Sequence, residues 1–318
     1  MSGLDVLTIG ESLGLVVPER IGRLAHSKTA HIGFGGAEGN VAIGVARLGG
    51  RAGWVGRVGR DGFGDLILRE MRAEGVEAFG ARDDEKPTSL MIKERPTPGT
   101  SRVTYYRVGQ AGSLLRPEDV PDGAVETAAI LHVTGIAAGL GEGPHATIRA
   151  AIDRAKAAGV TVSFDVNHRS ALWRDGRDPA PVYRELAAQA DIVFAGDDEA
   201  VFLTGETEPE KQLAAIRAMG VGTVVIKLGD KGALAGSGDE TLSRGAVRVD
   251  VVDTVGAGDA FVAGWLAETV AGSSLEQRLI TATATGAFAC TGEGDWESAP
   301  SRDDIARLLA GGGEPVQR

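Results

Sequence analysis

Short apolar runs alternate with longer helical stretches over most of the chain. Residues 6–10, 54–59, 129–134, 160–165, 192–194 and 223–227 are apolar on successive positions, the mark of strands buried on both faces. Between and after them, helical patterns run over 41–48, 61–74, 144–158, 197–204, 209–219, 258–271, 275–290 and 302–310. The helix at 41–48 is built of small residues and should lie close against the sheet. Such alternation predicts an α/β fold, a mostly parallel sheet covered by helices on both sides. Two stretches differ. Residues 13–17 and 29–34, and then 88–94 and 102–108 around a Pro96-Thr97-Pro98-Gly99 turn, alternate as one-sided strands do. They predict a small β lid made by excursions at about 13–34 and 88–108. No internal repeat or linker divides the chain, and the residues from Gly311 onward read as a frayed tail.

In an open α/β sheet the ligand sits at the carboxyl ends of the strands. Gly10, Gly35-Gly36, Asn167-His168-Arg169 and Asp253-Thr254 all follow predicted strands at that end. The densest stretch is Asp253-Thr254-Val255-Gly256-Ala257-Gly258-Asp259-Ala260-Phe261. The glycines allow a tight turn with N–H groups converging, and the following helix adds partial positive charge. Asp259 stands at the mouth of this anion hole. That pairing suits phosphoryl transfer to a hydroxyl, the amides holding charge and the carboxylate taking the proton. Taken alone, a Gly-x-Gly-Asp reads first as a glycine turn with Asp259 beginning a helix, and the rest of the chain has to decide.

Composition narrows the choice. The chain has 318 residues and a formal net charge of −11, the opposite of a nucleic-acid footprint. No apolar run reaches membrane-spanning length, and the first residues lack a signal-peptide pattern. One cysteine, Cys290, excludes a disulfide framework and fits a reducing compartment, so a cytoplasmic protein is expected. The five histidines show no metal-ligand spacing, and His132, inside a strand, reads as a core residue. Neither a P-loop nor a Gly-x-Gly-x-x-Gly dinucleotide fingerprint is present, which counts against a nicotinamide-dependent dehydrogenase.

Gly35-Gly36-Ala37-Glu38-Gly39-Asn40-Val41-Ala42, then 56–64, then 253–261, resemble the signature stretches of the PfkB (ribokinase-like) sugar kinases, in the family's order. The resemblance covers about residues 4–310 and implies a single ribokinase-like domain over 1–318. It implies that Asp259 is the catalytic base and that the amides of Gly256, Ala257 and Gly258 form the anion hole. By the same resemblance Gly35, Gly36 and Asn40 surround the sugar, and Lys227, Gly229 and Gly232 border ATP. Glu199 would help hold Mg2+ through water. The family's Asn-x-x-Glu is Gly196-Asp197-Asp198-Glu199 here, so Asp197 or Asp198 is left to share that role. The resemblance also puts Asp253, Thr254 and the loop 291–294 beside a monovalent-cation site; potassium use is left open. Exposed lid edges predict a homodimer paired through the lid.

Two further stretches bear on the acceptor. Asp165-Val166-Asn167-His168-Arg169 through Leu172-Trp173, and Tyr105-Tyr106-Arg107, resemble segments of the 2-keto-3-deoxygluconate kinases within this family. Arg169 and Arg107, with Tyr105, would then bind the carboxylate that distinguishes a keto-sugar acid from a neutral sugar. An unpaired pair of buried arginines beside a neutral sugar would be costly. The alternatives are a fructokinase- or ribokinase-like enzyme and a catalytically silent sugar sensor on the same fold.

Overall fold

The computed structural model describes residues 3–97, 100–174 and 176–311; the predicted turn residues Pro98 and Gly99, and the tail beyond Gly311, lie outside them. In chain order the elements are β1 (Val6–Ile9), β2 (Leu13–Pro18), β3 (Ala30–Gly35), α1 (Ala37–Arg47), β4 (Ala52–Gly59), α2 (Gly62–Ala73), β5 (Glu77–Asp83), β6 (Leu90–Thr97), β7 (Thr100–Tyr106) and β8 (Ile130–Thr134). There follow α3 (Gly135–Leu140), α4 (Glu142–Ala158), β9 (Thr161–Asp165), α5 (Pro179–Ala187), β10 (Ile192–Gly196), α6 (Asp197–Thr204), α7 (Pro209–Arg217), β11 (Thr223–Lys227), β12 (Ala233–Ser237), β13 (Glu240–Arg244), α8 (Ala257–Val270), α9 (Leu275–Ala289) and α10 (Arg302–Leu309).

Among the described residues the strands form two sheets. The larger has nine strands in the order β13-β12-β11-β10-β9-β8-β1-β4-β5. It is parallel from β11 across to β5 and closes at the other edge with the antiparallel β12–β13 hairpin. Strand alternation sends neighbouring residues to opposite layers. Val6, Ile130 and Phe194 pack with Trp54 and Trp265 on one side, while Leu7, Leu131 and Val193 pack with Ile148 and Leu186 on the other. The small-residue helix α1 lies against the sheet as its composition demands, buried along most of its length. The smaller sheet, β3-β2-β6-β7, is the predicted lid.

Sequence pattern missed β5, β12, β13, α3 and α5. β13 is largely exposed and β5 only partly buried, so neither carries a clear apolar face. α3 is six small residues with two glycines. One expectation is corrected: no strand precedes Asp253. Residues 245–252 are irregular, and the amides of Val252 and Asp253 donate to the carbonyl of Cys290 at 2.8 and 3.3 Å, so α9's end, rather than a strand, sets this loop.

Candidate active site

α8 begins at Ala257, capped by Gly256 in the left-handed conformation at φ 76°. A Cβ at Gly256 would lie 1.9 Å from the carbonyl oxygen of Asp295, so only glycine fits. Gly256 brings no capping side chain to the first turn of α8, the positive end of the helix, where the amide of Ala257 donates to the carbonyl of Thr254 at 3.3 Å. This geometry fits a phosphoryl group.

Asp259 lies in that first turn and is buried. Asn40, in the first turn of α1, donates from Nδ2 to its Oδ2 at 2.8 Å, and Asn167 donates to its Oδ1 at 3.3 Å. Burial pushes the Asp259 carboxyl above its ordinary range, against the pull of Asn40, Arg169 and Lys227. Asn167 was not among the expected site residues. It is the one non-glycine with positive φ among the described residues, 39°, a conformation asparagine tolerates. The chain has two asparagines in all, and both hold Asp259.

Beside this glycine turn, Lys227 at the end of β11 donates to both carboxylate oxygens of Asp165 at 2.8 Å and stands 4.0 Å from Glu199. Its Nζ is also 4.0 Å from where a Cβ of Gly258 would be, so the ammonium faces the loop from inside the site. Burial raises Asp165 to about 6 despite Lys227. At Glu199 burial pushes the same way, but Lys227 and the amides of Gly196 and His168, which donate at 2.7 and 2.8 Å, prevail and hold it low. Each Glu199 oxygen thus caps backbone and keeps a further lone pair as acceptor. A Cβ at Gly196 would meet Asp198 Oδ1 at 2.6 Å, so the space over Gly196 is filled by the Asp198 carboxylate. Gly229 and Gly232, at φ 57° and 101°, make the turn after β11, and a Cβ at Gly232 would strike the carbonyl of Arg244 at 1.9 Å.

On the acceptor side, Gly35 and Gly36 form a floor with no room for side chains. A Cβ at Gly35 would meet Asp295 Oδ2 at 2.1 Å and Met91 Cε at 2.8 Å; one at Gly36 would meet the carbonyl of Glu11 at 2.3 Å. Tyr105 is the cross-strand partner of Met91, which places it on the lid face turned toward this floor, with Tyr106 on the other face. Arg107 lies 5.0 Å from the Tyr105 ring centroid. It is buried, and its Nε donates to Glu11 Oε2 at 2.8 Å, while Ser89 Oγ donates to Glu11 Oε1 at 2.5 Å. Arg107 therefore already has a carboxylate partner, and the argument from two unpaired arginines does not hold for it. Arg169 is different. Its guanidinium is exposed, donates to the carbonyl of His168 at 2.9 Å, and has no carboxylate within 4.0 Å among the described residues. Its field reaches Asp259 and Glu199. Asp253, expected beside a monovalent cation, instead accepts from Lys93 Nζ at 2.5 Å. His132 is buried and bonded to Ser163 at 3.0 Å, as a core histidine should be.

Glu38, in the glycine stretch of α1, was passed over as well. It is fully buried, accepts from Thr134 Oγ1 at 2.6 Å, and its Oε2 has no partner among the described residues. Burial raises it from the usual 4.5 to about 7, opposed by the Thr134 hydrogen bond. The folded state therefore favours the protonated form. The stability this contributes is full below the unfolded value and is lost as pH rises through about 7. Glu38→Gln keeps the acceptor and removes the titration, so its thermal midpoint should fall less than that of the parent protein between about pH 5 and about pH 8. An identical pH dependence in the two proteins would refute this account of Glu38.

The pfkB family carbohydrate kinase profile matches residues 4–302. The 2-dehydro-3-deoxygluconokinase of Bacillus subtilis (strain 168) is 37% identical, over 96% of this chain and 96% of its own. The fructokinase of Klebsiella pneumoniae is 34% identical, over 96% of this chain and 99% of its own. The crystal structure of a double-mutant fructokinase from Vibrio cholerae O395, in its fructose, ADP and potassium ion bound form, superposes with a TM-score of 0.84 at 28% identity, over 97% of this chain and 99% of that one.

Proposed function

The chain belongs to the pfkB family of ATP-dependent carbohydrate kinases, and from that premise we propose that its acceptor is a keto-sugar acid, 2-keto-3-deoxygluconate or a near relative. The observation that carries this reading is Arg169: an exposed guanidinium two residues beyond Asn167, its charge felt at Asp259, with no carboxylate partner among the described residues. A substrate carboxylate bound there satisfies it bidentately. The name of the Bacillus subtilis relative supports the same substrate. A neutral sugar is the second reading, favoured by the Glu11 partner that Arg107 already has and by the fructokinase relatives.

In this reading the terminal hydroxyl of the acceptor lies against Gly35 and Gly36 with its proton toward Asp259. Asn40 and Asn167 aim that carboxylate, and Asp259 takes the proton as the oxygen attacks the γ-phosphorus of ATP, whose bond to the β,γ-bridging oxygen breaks to release ADP. The amides of Gly256, Ala257 and Gly258, with Lys227 behind them, hold the charge of the transferring group. Gly229 and Gly232 shape the neighbouring nucleotide-binding turn. Glu199 and Asp198 are the carboxylates that would hold the water shell of a magnesium ion accompanying ATP, an ion that would further neutralise the phosphate oxygens. Tyr105 and the lid exclude water that would compete as acceptor. The far face of the lid carries Ile32, Val16 and Ile92 in one cross-strand row, with Leu90 and its partner Tyr106 on the same face, and Ile32 and Tyr106 are more than half exposed. That apolar stripe supports a homodimer closed lid to lid.

The test is an ADP-release assay over 2-keto-3-deoxygluconate, 2-keto-3-deoxygalactonate, fructose and ribose. A keto acid should exceed both neutral sugars in kcat/KM by about tenfold or more. Fructose or ribose in first place would overturn the acidic-substrate reading and leave the kinase reading intact.

A further inference from the structure

The resemblance to the family puts a monovalent cation beside Asp253, and a fructokinase of the same fold holds potassium. The residues around Asp253 do not fit a metal cation. Its Oδ2 is taken by the ammonium of Lys93 at 2.5 Å, and its Oδ1 accepts the amide of Val255 at 3.3 Å. Lys93 is buried, 7% exposed, so solvent does not replace this contact. Its charge also reaches Asp295, the residue under Gly35. Burial pushes that carboxyl up to about 7, with Lys93 opposing and Asp259, Glu297 and Asp253 adding to the rise. A second unit cation within about 4 Å of the ammonium would be strongly repelled away from bulk water.

Lys93 comes from an unexpected place. It stands on lid strand β6, on the face that also carries Met91 and Arg95. Arg95, two residues on, pairs with Glu293 at 2.7 Å. Two ion pairs thus fix the lid strand to the two segments, 253–255 and 293–295, that flank the glycine turn of the anion hole.

We propose that Lys93 supplies in covalent form the positive charge that relatives obtain from a bound monovalent cation, so that this enzyme works without potassium and the charge arrives with the lid. Neutralising Asp253 keeps its field away from the neighbouring amides of Gly256, Ala257 and Gly258, which must attract an anion. Because the charge rides on β6, the anion hole is electrostatically complete only when the lid is seated. The inference rests on the kinase reading and is independent of which sugar is the acceptor.

The test compares KCl with tetramethylammonium chloride at equal ionic strength, using whichever sugar in the panel is phosphorylated best. The parent protein should show rates within about twofold in the two salts and no potassium-specific rise in thermal midpoint. Lys93→Met should lose about tenfold or more in tetramethylammonium chloride. Potassium should then restore a substantial part of that rate and raise the variant's thermal midpoint, a response that a purely structural lysine would not give. The idea is overturned if the parent protein is activated about tenfold by potassium, a measurement that stands even if Lys93→Met fails to fold. A folded Lys93→Met that is equally active, or equally inactive, in both salts also overturns it. Loss of all kinase activity by the parent protein with every sugar in both salts would instead count against the kinase reading.

Discussion

Asp259→Asn is expected to lower kcat by roughly 10²–10⁴-fold, the span associated with a positioned general base. The change removes the only feature of Asp259 that chemistry needs, a carboxylate able to accept a proton, and keeps its shape. The two amides that hold it set a second cost. Asn40 and Asn167 both donate to Asp259, one to each oxygen. An asparagine at 259 can accept from one of them and must turn its own NH₂ toward the other. Asn40, whose Oδ1 has no other partner among the described residues, can turn over to accept from that NH₂, so sugar binding should weaken by no more than about threefold. The pH profile separates the two effects. Burial raises the Asp259 carboxyl, and the base works ionised, so kcat/KM of the parent protein should climb with pH along a limb above the ordinary carboxylate range. That limb should be absent in Asp259→Asn. Near-normal turnover, or an unchanged acid limb, would remove Asp259 from the role of base.

The parts of this site that were legible in the sequence are those where backbone does the work. Gly256 is a glycine because no Cβ fits beneath Asp295, and Gly35 and Gly36 are glycines for similar steric reasons, so their pattern survives as a readable string. The alternation of buried strands was legible because each strand packs apolar residues into two layers. What escaped were long-range polar pairings, which leave no period in the chain. Lys93 and Asp253 are 160 residues apart, and Arg107 and Glu11 are 96 apart. Neither partner's neighbours announce the other. Nothing local to Glu11 says that it neutralises a lid arginine. Asn167 could have been found: with two asparagines in the chain, one at a strand end beside Arg169 was a candidate to orient the base. The strand expected before Asp253 was inferred from the glycine turn itself, whereas the loop is held by the carbonyl of Cys290 at the end of α9.

Arg169→Ala should separate the two sugar classes. With a keto-sugar acid, kcat/KM is expected to fall roughly 10²-fold, the loss that follows removal of a charge-assisted bidentate contact. With fructose it should change by no more than about threefold, since a neutral sugar has no carboxylate to lose. Arg107→Ala is the informative contrast. Arg107 holds a buried carboxylate, Glu11, so its removal leaves that charge unpaired and lowers stability whatever the substrate. Arg169 has no such partner among the described residues, and its side chain is exposed, so Arg169→Ala should leave the thermal midpoint nearly unchanged. A selective kinetic loss without a stability loss is the signature of a residue kept for the substrate. Equal losses on keto acid and fructose would show that Arg169 serves the phosphate side, through its field at Asp259 and Glu199, and would return the acceptor to the neutral sugars.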